Sequence, residues 1–385
     1  MAGKLIYFIV GEPSGDILVS RLMRALREKA PDVRFAGTGG ETMTEAGFES
    51  LFPVAELSVM GFWEVAPRLP LILKRMKQVI LDIEAKRPDV LVTVDSWGFV
   101  SKVLQRLKKR GVCLPKVHYV APQVWAWKKS RAPKAAGLID HLMTLLPYEP
   151  PYFEKYGLKC TFVGHPVIEN TARLPDDQAE FKARYGIPER CTLLAVLPGS
   201  RHSEVSKLAP VFGKVIRQLA AHFPDLFLLL PTVEAIAGEV ETAFAGLGLP
   251  CRVITGQYER YSAFKASRFA LAASGTVSLE LAACGVPHVI AYKFNFLTNK
   301  IIKHLAITPY ANLINILAGR FVIPEFVLEN CTYKLIAPAV LELLQHPDRA
   351  QAQADEAGKY MLKLKPENAT PSGKAAEVVL SLINS

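Results

Sequence analysis

At 385 residues, with 46 Lys and Arg against 36 Asp and Glu, the chain carries a formal net charge of +10 and has length for two domains that each bury a core. Half the residues are hydrophobic and 21% are charged, which excludes disordered and collagen-like chains. The six cysteines lie far apart without a CxxC pair, which excludes a zinc ribbon or a disulfide-dense scaffold and suits a reducing cytoplasm.

In chain order, Leu5–Val10 is too short for a signal-peptide core and ends in a Gly/Ser loop, so it reads as a first strand. Further strands are predicted at Val33–Gly37, Val90–Val94, Val117–Val120, His141–Leu145, Thr161–Val163, Leu193–Leu197, Phe227–Leu230, Arg252–Ile254, Phe269–Ala272 and His288–Ala291. Amphipathic stretches such as Ile17–Glu28, Leu69–Glu84 and Val205–His222 lie between them. Short Val/Ile/Leu-rich runs alternating with helices predict parallel sheets covered on both faces. The most apolar window, Phe269–Tyr292, holds Glu280, two glycines and Pro287, so it reads as strand–turn–helix–strand and not as a membrane span. Two such series meet near the polar segment 174–189. The expectation is an α/β protein of two doubly wound, Rossmann-type domains facing a central cleft, residues 1–170 and 171–350, with a C-terminal helical segment, 351–385, packing back across them.

The positive balance suits nucleic acid, an anionic membrane surface or phosphorylated substrates. The basic residues are scattered and no nucleic-acid-binding signature occurs, so phosphate or membrane is favoured. Gly11–Asp16 (GEPSGD) joins the first strand to a helix: Gly15 allows close backbone approach, and Ser14 or Asp16 suits a cap. It lacks the spacing of a dinucleotide or P-loop motif, and an ordinary capped turn explains it as well as a ligand loop does. Leu197–Arg201 (LPGSR) opens a helix after a strand, where amides attract anions and Arg201 adds a cation suited to phosphate. Ser274, Gly275 and Thr276 form a second amide-rich turn, and Glu280, one helical turn on, can accept ribose hydroxyls. Asp95 ends the strand Val90–Val94, a place for a desolvated general base, though a turn Asp is the commoner reading. His118 and His165 have no second ligand at metal spacing and read as structural; no metal or cofactor motif is found.

A stripe of Leu69, Ile72, Leu73, Met76, Val79, Ile80 and Ile83 reads first as core. Phe62, Trp63, Leu71, Lys74, Arg75 and Lys77 beside it, and Phe294–His304 later, also fit a membrane-surface face.

Taken in order, GEPSGD, VMGFWEV (Val59–Val65), PDVLVTVD (Pro88–Asp95), HYVAPQVWAWKKSR (His118–Arg131), FVGHP (Phe162–Pro166), LPGSRHSEV (Leu197–Val205), ASGTVSLELAACGVP (Ala273–Pro287) and NLINILAGR (Asn312–Arg320) resemble the lipid-A-disaccharide synthases. These are inverting, metal-independent glycosyltransferases of GT-B fold, and the likeness spans nearly the whole chain. It implies that UDP-2,3-diacylglucosamine is joined to 2,3-diacylglucosamine-1-phosphate (lipid X), giving a β-1,6 disaccharide 1-phosphate and UDP. It implies Asp95 as the base, Arg201 and Ser274–Thr276 at the diphosphate, Glu280 at the ribose, Asn315 in the donor site, and Ser14, Gly15 and Asp16 on the acceptor side. A peripheral place on the anionic cytoplasmic face of the inner membrane follows from the acylated substrates, no cofactor or nucleic acid is implied, and a homodimer is compatible. The chain departs from the family at Gly98, where a second acid is usual, and at Leu328, where Gln is common. The readings kept beside this one are a MurG-like transferase, a UDP-sugar 2-epimerase, and an inactive nucleotide-sugar-binding protein.

Overall fold

The computed structural model describes residues 3–57, 62–125, 129–172, 174, 177–293 and 308–383, and of 62–67 the backbone alone. The chain divides into two compact units, Met1–Pro166 with Leu364–Ser385, and Val167–Lys363. The expected C-terminal segment 351–385 contains the end of the helix Pro347–Leu362 and the helix Pro371–Ile383, which belong to different units.

In the first unit β1 (Leu5–Val10), β2 (Arg34–Thr38), β3 (Val90–Val94), β4 (Lys116–Tyr119), β5 (His141–Thr144) and β6 (Lys159–Phe162) are all parallel, in the order β2-β1-β3-β4-β5-β6. Alternation along each strand feeds two cores. Ile6, Phe8, Val10, Val92 and Val94 pack with Leu22 and Leu26 of the helix Pro13–Lys29 and with Ala376 and Val379 of the last helix. Tyr7, Ile9 and Leu91 pack instead with Met76, Val79 and Ile83 of the helix Phe62–Lys86 and with Val100 and Leu104 of Trp97–Lys109. Each such buried aliphatic stabilises by about 1.5–3 kcal/mol relative to exposure. The apolar stripe on Phe62–Lys86 is therefore core only in its later part: Leu69 and Leu73 are 43% and 44% exposed.

The second unit repeats the plan with β7 (Thr192–Leu197), β8 (Leu226–Pro231), β9 (Cys251–Ile254), β10 (Phe269–Ala273), β11 (His288–Tyr292) and β12 (Glu325–Val327), in the order β12-β11-β10-β7-β8-β9. Residues of β7, β8 and β10 pack with Leu208, Phe212 and Ile216 of the helix His202–Ala220 and with Ile336 and Val340 of Tyr333–Gln345. β12 is the strand missed by sequence: three residues with Glu325 at the start show no apolar run. The expected strands agree with β1–β11 to within a few residues.

In each sheet the chain leaves its first strand to one side and later returns to the other. The first sheet reverses between β1 and β3, the second between β7 and β10. At the carboxyl ends of those pairs the crossovers run to opposite sides, the place where open α/β sheets take ligands.

Candidate functional site

The loops above both reversals are the ones singled out by sequence. In the first unit, Gly11–Asp16 follows β1 and Asp95 follows β3. The two loops interlock. A Cβ on Gly11 would sit 2.8 Å from Ser96 Oγ, and one on Gly15 would meet Val10 and Val94 at 3.2–3.3 Å. Gly15 thus lets the helix Pro13–Lys29 lie close on β1 and β3. The Ser96 hydroxyl donates to Glu12 Oε1 at 3.0 Å.

Asp95 and Ser96 both hold left-handed backbone, φ 46° and 40°. Such conformations cost of order 1–3 kcal/mol each and concentrate at working sites. The Asp95 amide is fixed by the Tyr119 carbonyl at 3.0 Å. Burial, joined by the field of Glu12 and partly offset by the Ser96 N–H, pushes the Asp95 carboxyl above the ordinary carboxylate value. Gly98 is exposed, with nothing within 4 Å of a Cβ built on it.

Asp16 is 4% exposed and turned to a different task. Its oxygens accept from Gly40 N (2.7 Å), Thr42 N (2.8 Å), Thr42 Oγ1 (2.6 Å) and Met43 N (3.2 Å), capping the short helix Glu41–Glu45. Ser14 is exposed, and neither it nor Asp16 caps its own helix, whose N-cap is Glu12. His118 is fully buried against Trp97, ring centroids 5.0 Å apart, with Nδ1 at 2.8 Å from Thr93 Oγ1; burial pushes it down to about 3. His165 is likewise buried and pushed down to about 4, so both stay neutral.

In the second unit Gly199 (φ 127°) brings the turn against Glu204, whose Cβ would lie 2.4 Å from an added Cβ. Glu204 accepts from Ser200 N at 2.9 Å, Arg201 Nη1 at 3.3 Å and Tyr292 Oη at 3.3 Å, so it organises the turn and leaves Arg201 half in solvent. Across the reversal, Ser274 N is held by the Ala291 carbonyl (3.0 Å) and its hydroxyl by Ala311 O (3.2 Å); Gly275 and Thr276 are exposed. Glu280 is 7% exposed, and its Oε1 accepts from Arg260 Nη2 and Tyr261 Oη, both at 3.0 Å. Among the described residues nothing donates to its Oε2. Burial, then Glu280, pushes the Tyr261 hydroxyl up to about 12, so it remains a donor.

Asn315 is fully buried and saturated. Its Oδ1 accepts from Val322 N (2.8 Å) and Ile323 N (2.9 Å), while its Nδ2 donates to Ile323 O (2.7 Å) and Glu325 Oε1. Glu325 also holds Ala311 N and Asn312 N, and Asn312 donates to Ser278 in the helix that carries Glu280. Asn315 therefore acts by bracing the segment beside β11 and β12. Leu328, at the family's usual Gln position, takes left-handed backbone, φ 58°.

Within each unit the expected residues lie on loops that follow neighbouring strands: Ser14 and Gly15 after β1 and Asp95 after β3, Arg201 after β7 and Ser274–Thr276 after β10. Asp16 and Asn315 serve the loops instead of facing them. Sequence reasoning passed over Glu12 and Glu204, although both lie inside quoted motifs. It also passed over Glu149, 3% exposed, which receives Trp125 Nε1 (3.2 Å) of the tryptophan-rich motif and is pushed up to about 7 by burial. A carboxylate three residues after an apolar run carries no pattern that would reveal this. Trp127 of that motif, the segment Val59–Gly61, the side chains of Phe62 and Trp63, and 294–304 lie outside the described residues. Among the described residues no group of three or more His, Cys, Asp or Glu is placed to hold a metal.

A family model described as Lipid-A-disaccharide synthetase matches residues 6–379. The chain is 46% identical over 384 residues to the lipid-A-disaccharide synthase of Rhodospirillum centenum, covering all of this chain and 96% of that one. It is 49% identical over 382 residues to that of Paramagnetospirillum magneticum, covering 98% and 97%. Among solved structures it is similar to S. aureus MnaA in its co-structure with UDP (TM-score 0.65, 16% identity, 99% and 96% covered). It is also similar to WaaG, a glycosyltransferase involved in lipopolysaccharide biosynthesis (TM-score 0.58, 14% identity, 97% and 99% covered). The structural likenesses establish the GT-B fold, and the sequence matches go further: the chain belongs to the lipid-A-disaccharide synthase family of glycosyltransferases.

Proposed function

We propose that the chain transfers the sugar of UDP-2,3-diacylglucosamine to the hydroxyl of lipid X, releasing UDP and forming the β-1,6 disaccharide 1-phosphate, with Asp95 as general base. The observation that carries this role is the state of Asp95: half-buried, beside Glu12 and in left-handed backbone at the switch point of the first sheet. A carboxylate held this way binds a proton more tightly than an exposed one and takes it from the acceptor oxygen more readily. As that oxygen attacks the anomeric carbon, the bond to UDP breaks on the opposite face and the configuration inverts. Arg201 and the amides of Ser274, Gly275 and Thr276 stabilise the charge that develops on the leaving diphosphate. Glu280 offers Oε2 to the ribose while Arg260 and Tyr261 hold Oε1. Ser14 and Gly15 line the acceptor loop; Asp16 and Asn315 are positioning residues. Glu12 supplies the neighbouring negative charge that Gly98 does not.

The substrates are acylated, so the reading places the protein on the cytoplasmic face of the inner membrane, bound to its anionic surface. Leu69 and Leu73 with the exposed Arg68, Lys74 and Lys77 make the docking face. Arg75 is not part of it: it is paired to Glu56 at 2.6 and 2.9 Å and lies over Phe52. Among the described residues no helix is long and apolar enough to cross a membrane. A homodimer is compatible with this reading. The test is UDP release with and without lipid X, and the mass of the product. Release that needs no acceptor, or no disaccharide mass, overturns the proposal.

A further inference from the structure

A cavity of about 650 Å³ opens on the second unit beside the helices His202–Ala220 and Tyr333–Gln345, and none of its lining residues belongs to the nucleotide loops. Four of those residues are lysines: Lys207, Lys214, Lys293 and Lys334. Like charges brought around one space repel, and surface lysines ordinarily sit among carboxylates. Here none of the four forms an ion pair with a described residue, and the neighbouring Glu204 is taken up by Arg201, Ser200 and Tyr292. Lys214 instead lies over the ring of Tyr333, 5.5 Å from its centroid.

The backbone adds to this field. Tyr333–Gln345 is a 13-residue helix whose N-cap, Thr332, is extended (φ −130°) and makes no side-chain cap bond, so its positive end lies uncapped at the cavity wall. Each helix also carries an internal proline, Pro210 and Pro338. A proline ring presses on the carbonyl four residues earlier and bends the helix; those carbonyls belong to Ser206 and Lys334, both lining the cavity. Space, unpaired cations, an uncapped helix end and the hydroxyls of Ser206 and Thr332 converge at one place.

We propose that this cavity is a second anion site that takes a phosphate group, of the kind borne by a phospholipid headgroup or by a soluble pyrophosphate. A diphosphate or a headgroup is the right size for several ammonium groups at once, and it supplies negative charge to lysines that form no ion pair with a described residue. The site does not depend on the catalytic assignments, because its residues are separate from them.

The test uses the full chain carrying Arg201→Ala, so that the nucleotide loop does not compete for phosphate, with and without Lys207→Gln and Lys334→Gln. Inorganic pyrophosphate is titrated by calorimetry, and vesicles of phosphatidylglycerol or of phosphatidylcholine are floated with the protein. Each lysine is worth about fivefold in affinity, so the pair removes roughly twenty-fivefold. Circular dichroism checks the fold, and Lys207→Arg with Lys334→Arg restores binding. Lysine-dependent binding of pyrophosphate identifies a soluble ligand. Lysine-dependent binding of phosphatidylglycerol vesicles alone identifies a headgroup. Binding that is indifferent to the lysines, or no binding of either probe, overturns the site.

Discussion

Replacing Asp95 by Asn separates catalysis from folding, because the structure gives the two opposite signs. Asn tolerates left-handed backbone as Asp does, so the φ of 46° is kept. The charge is what changes. Burial and Glu12 raise the folded carboxyl above its unfolded value, so the folded chain holds the Asp95 proton more tightly than the unfolded chain. Stability from this group is therefore fully present at low pH and is lost as pH rises through the folded value. At neutral pH the ionised Asp95 is a cost, and Asp95→Asn removes it. The expected gain is about 0.5–2 kcal/mol, or roughly 2–4 °C in melting temperature for each kcal/mol. Turnover falls about 10²–10⁴-fold, equivalent to about 3–5 kcal/mol of barrier, while UDP affinity stays within about twofold. The assay is UDP release at saturating acceptor from pH 5 to 9, with thermal melts over the same range. Wild type shows an acid limb above the ordinary carboxylate range; the variant shows none, and its extra stability fades toward acid. A variant with near-full activity, or one less stable than wild type at pH 7, refutes the reasoning.

Arg201→Ala weakens UDP about ten- to a hundredfold without moving the melting point, because the side chain is exposed; Glu280→Ala weakens UDP similarly but also lowers melting, because it strands Arg260. Calorimetry beside melts separates the two, and equal melting behaviour contradicts it. Asn315→Ala leaves the buried amide of Ile323 and the half-buried amide of Val322 without acceptors and costs about 2–4 kcal/mol; a variant that loses turnover with unchanged urea unfolding contradicts the bracing role. Burial holds His288 and His165 down to about 4, below the unfolded value, so they favour folding fully above about pH 6.5 and lose that advantage as pH falls toward 4. Urea unfolding should weaken by about 1.4 kcal/mol per pH unit for each histidine, and a flat profile over that window rules the histidines out.

Most of the fold is legible in the sequence because both sheets are parallel and their central strands are buried on both faces. Strands such as Val90–Val94 and Leu226–Pro231 have no solvent face, so they read as near-continuous apolar runs, Thr93 being the one polar residue between them. β12 is illegible for the converse reason: it is short, starts with Glu325, and owes its strand form to pairing at Ile290↔Glu325 and Ala291↔Phe326. The helical stripe on Phe62–Lys86 misleads in part because periodicity records a helix face, and Leu69 and Leu73 continue a face that the core covers only from Met76 onward.

The site divides along the same physical line. The places of Gly15, Asp95 and Arg201, each in a loop between a strand and a helix, can be read from the strand–loop–helix pattern, whereas the roles proposed for Asp95 and Arg201 come from the family resemblance. Residues whose role depends on a distant partner cannot be read from that pattern. Asp16 looks like a cap for its own helix, yet its partners are 24 to 27 positions away. Asn315 looks like a ligand contact, yet all four of its bonds go to the segment Val322–Glu325. Gly98 reads as a missing acid only along the chain. In space the loop after β1 brings Glu12 to Ser96 and within the field of Asp95, so a like charge that raises the Asp95 carboxyl does not have to come from the same loop. Two loops that meet above a switch point share their charges, and the acid count at Asp95 is set by that meeting, not by either loop's own sequence.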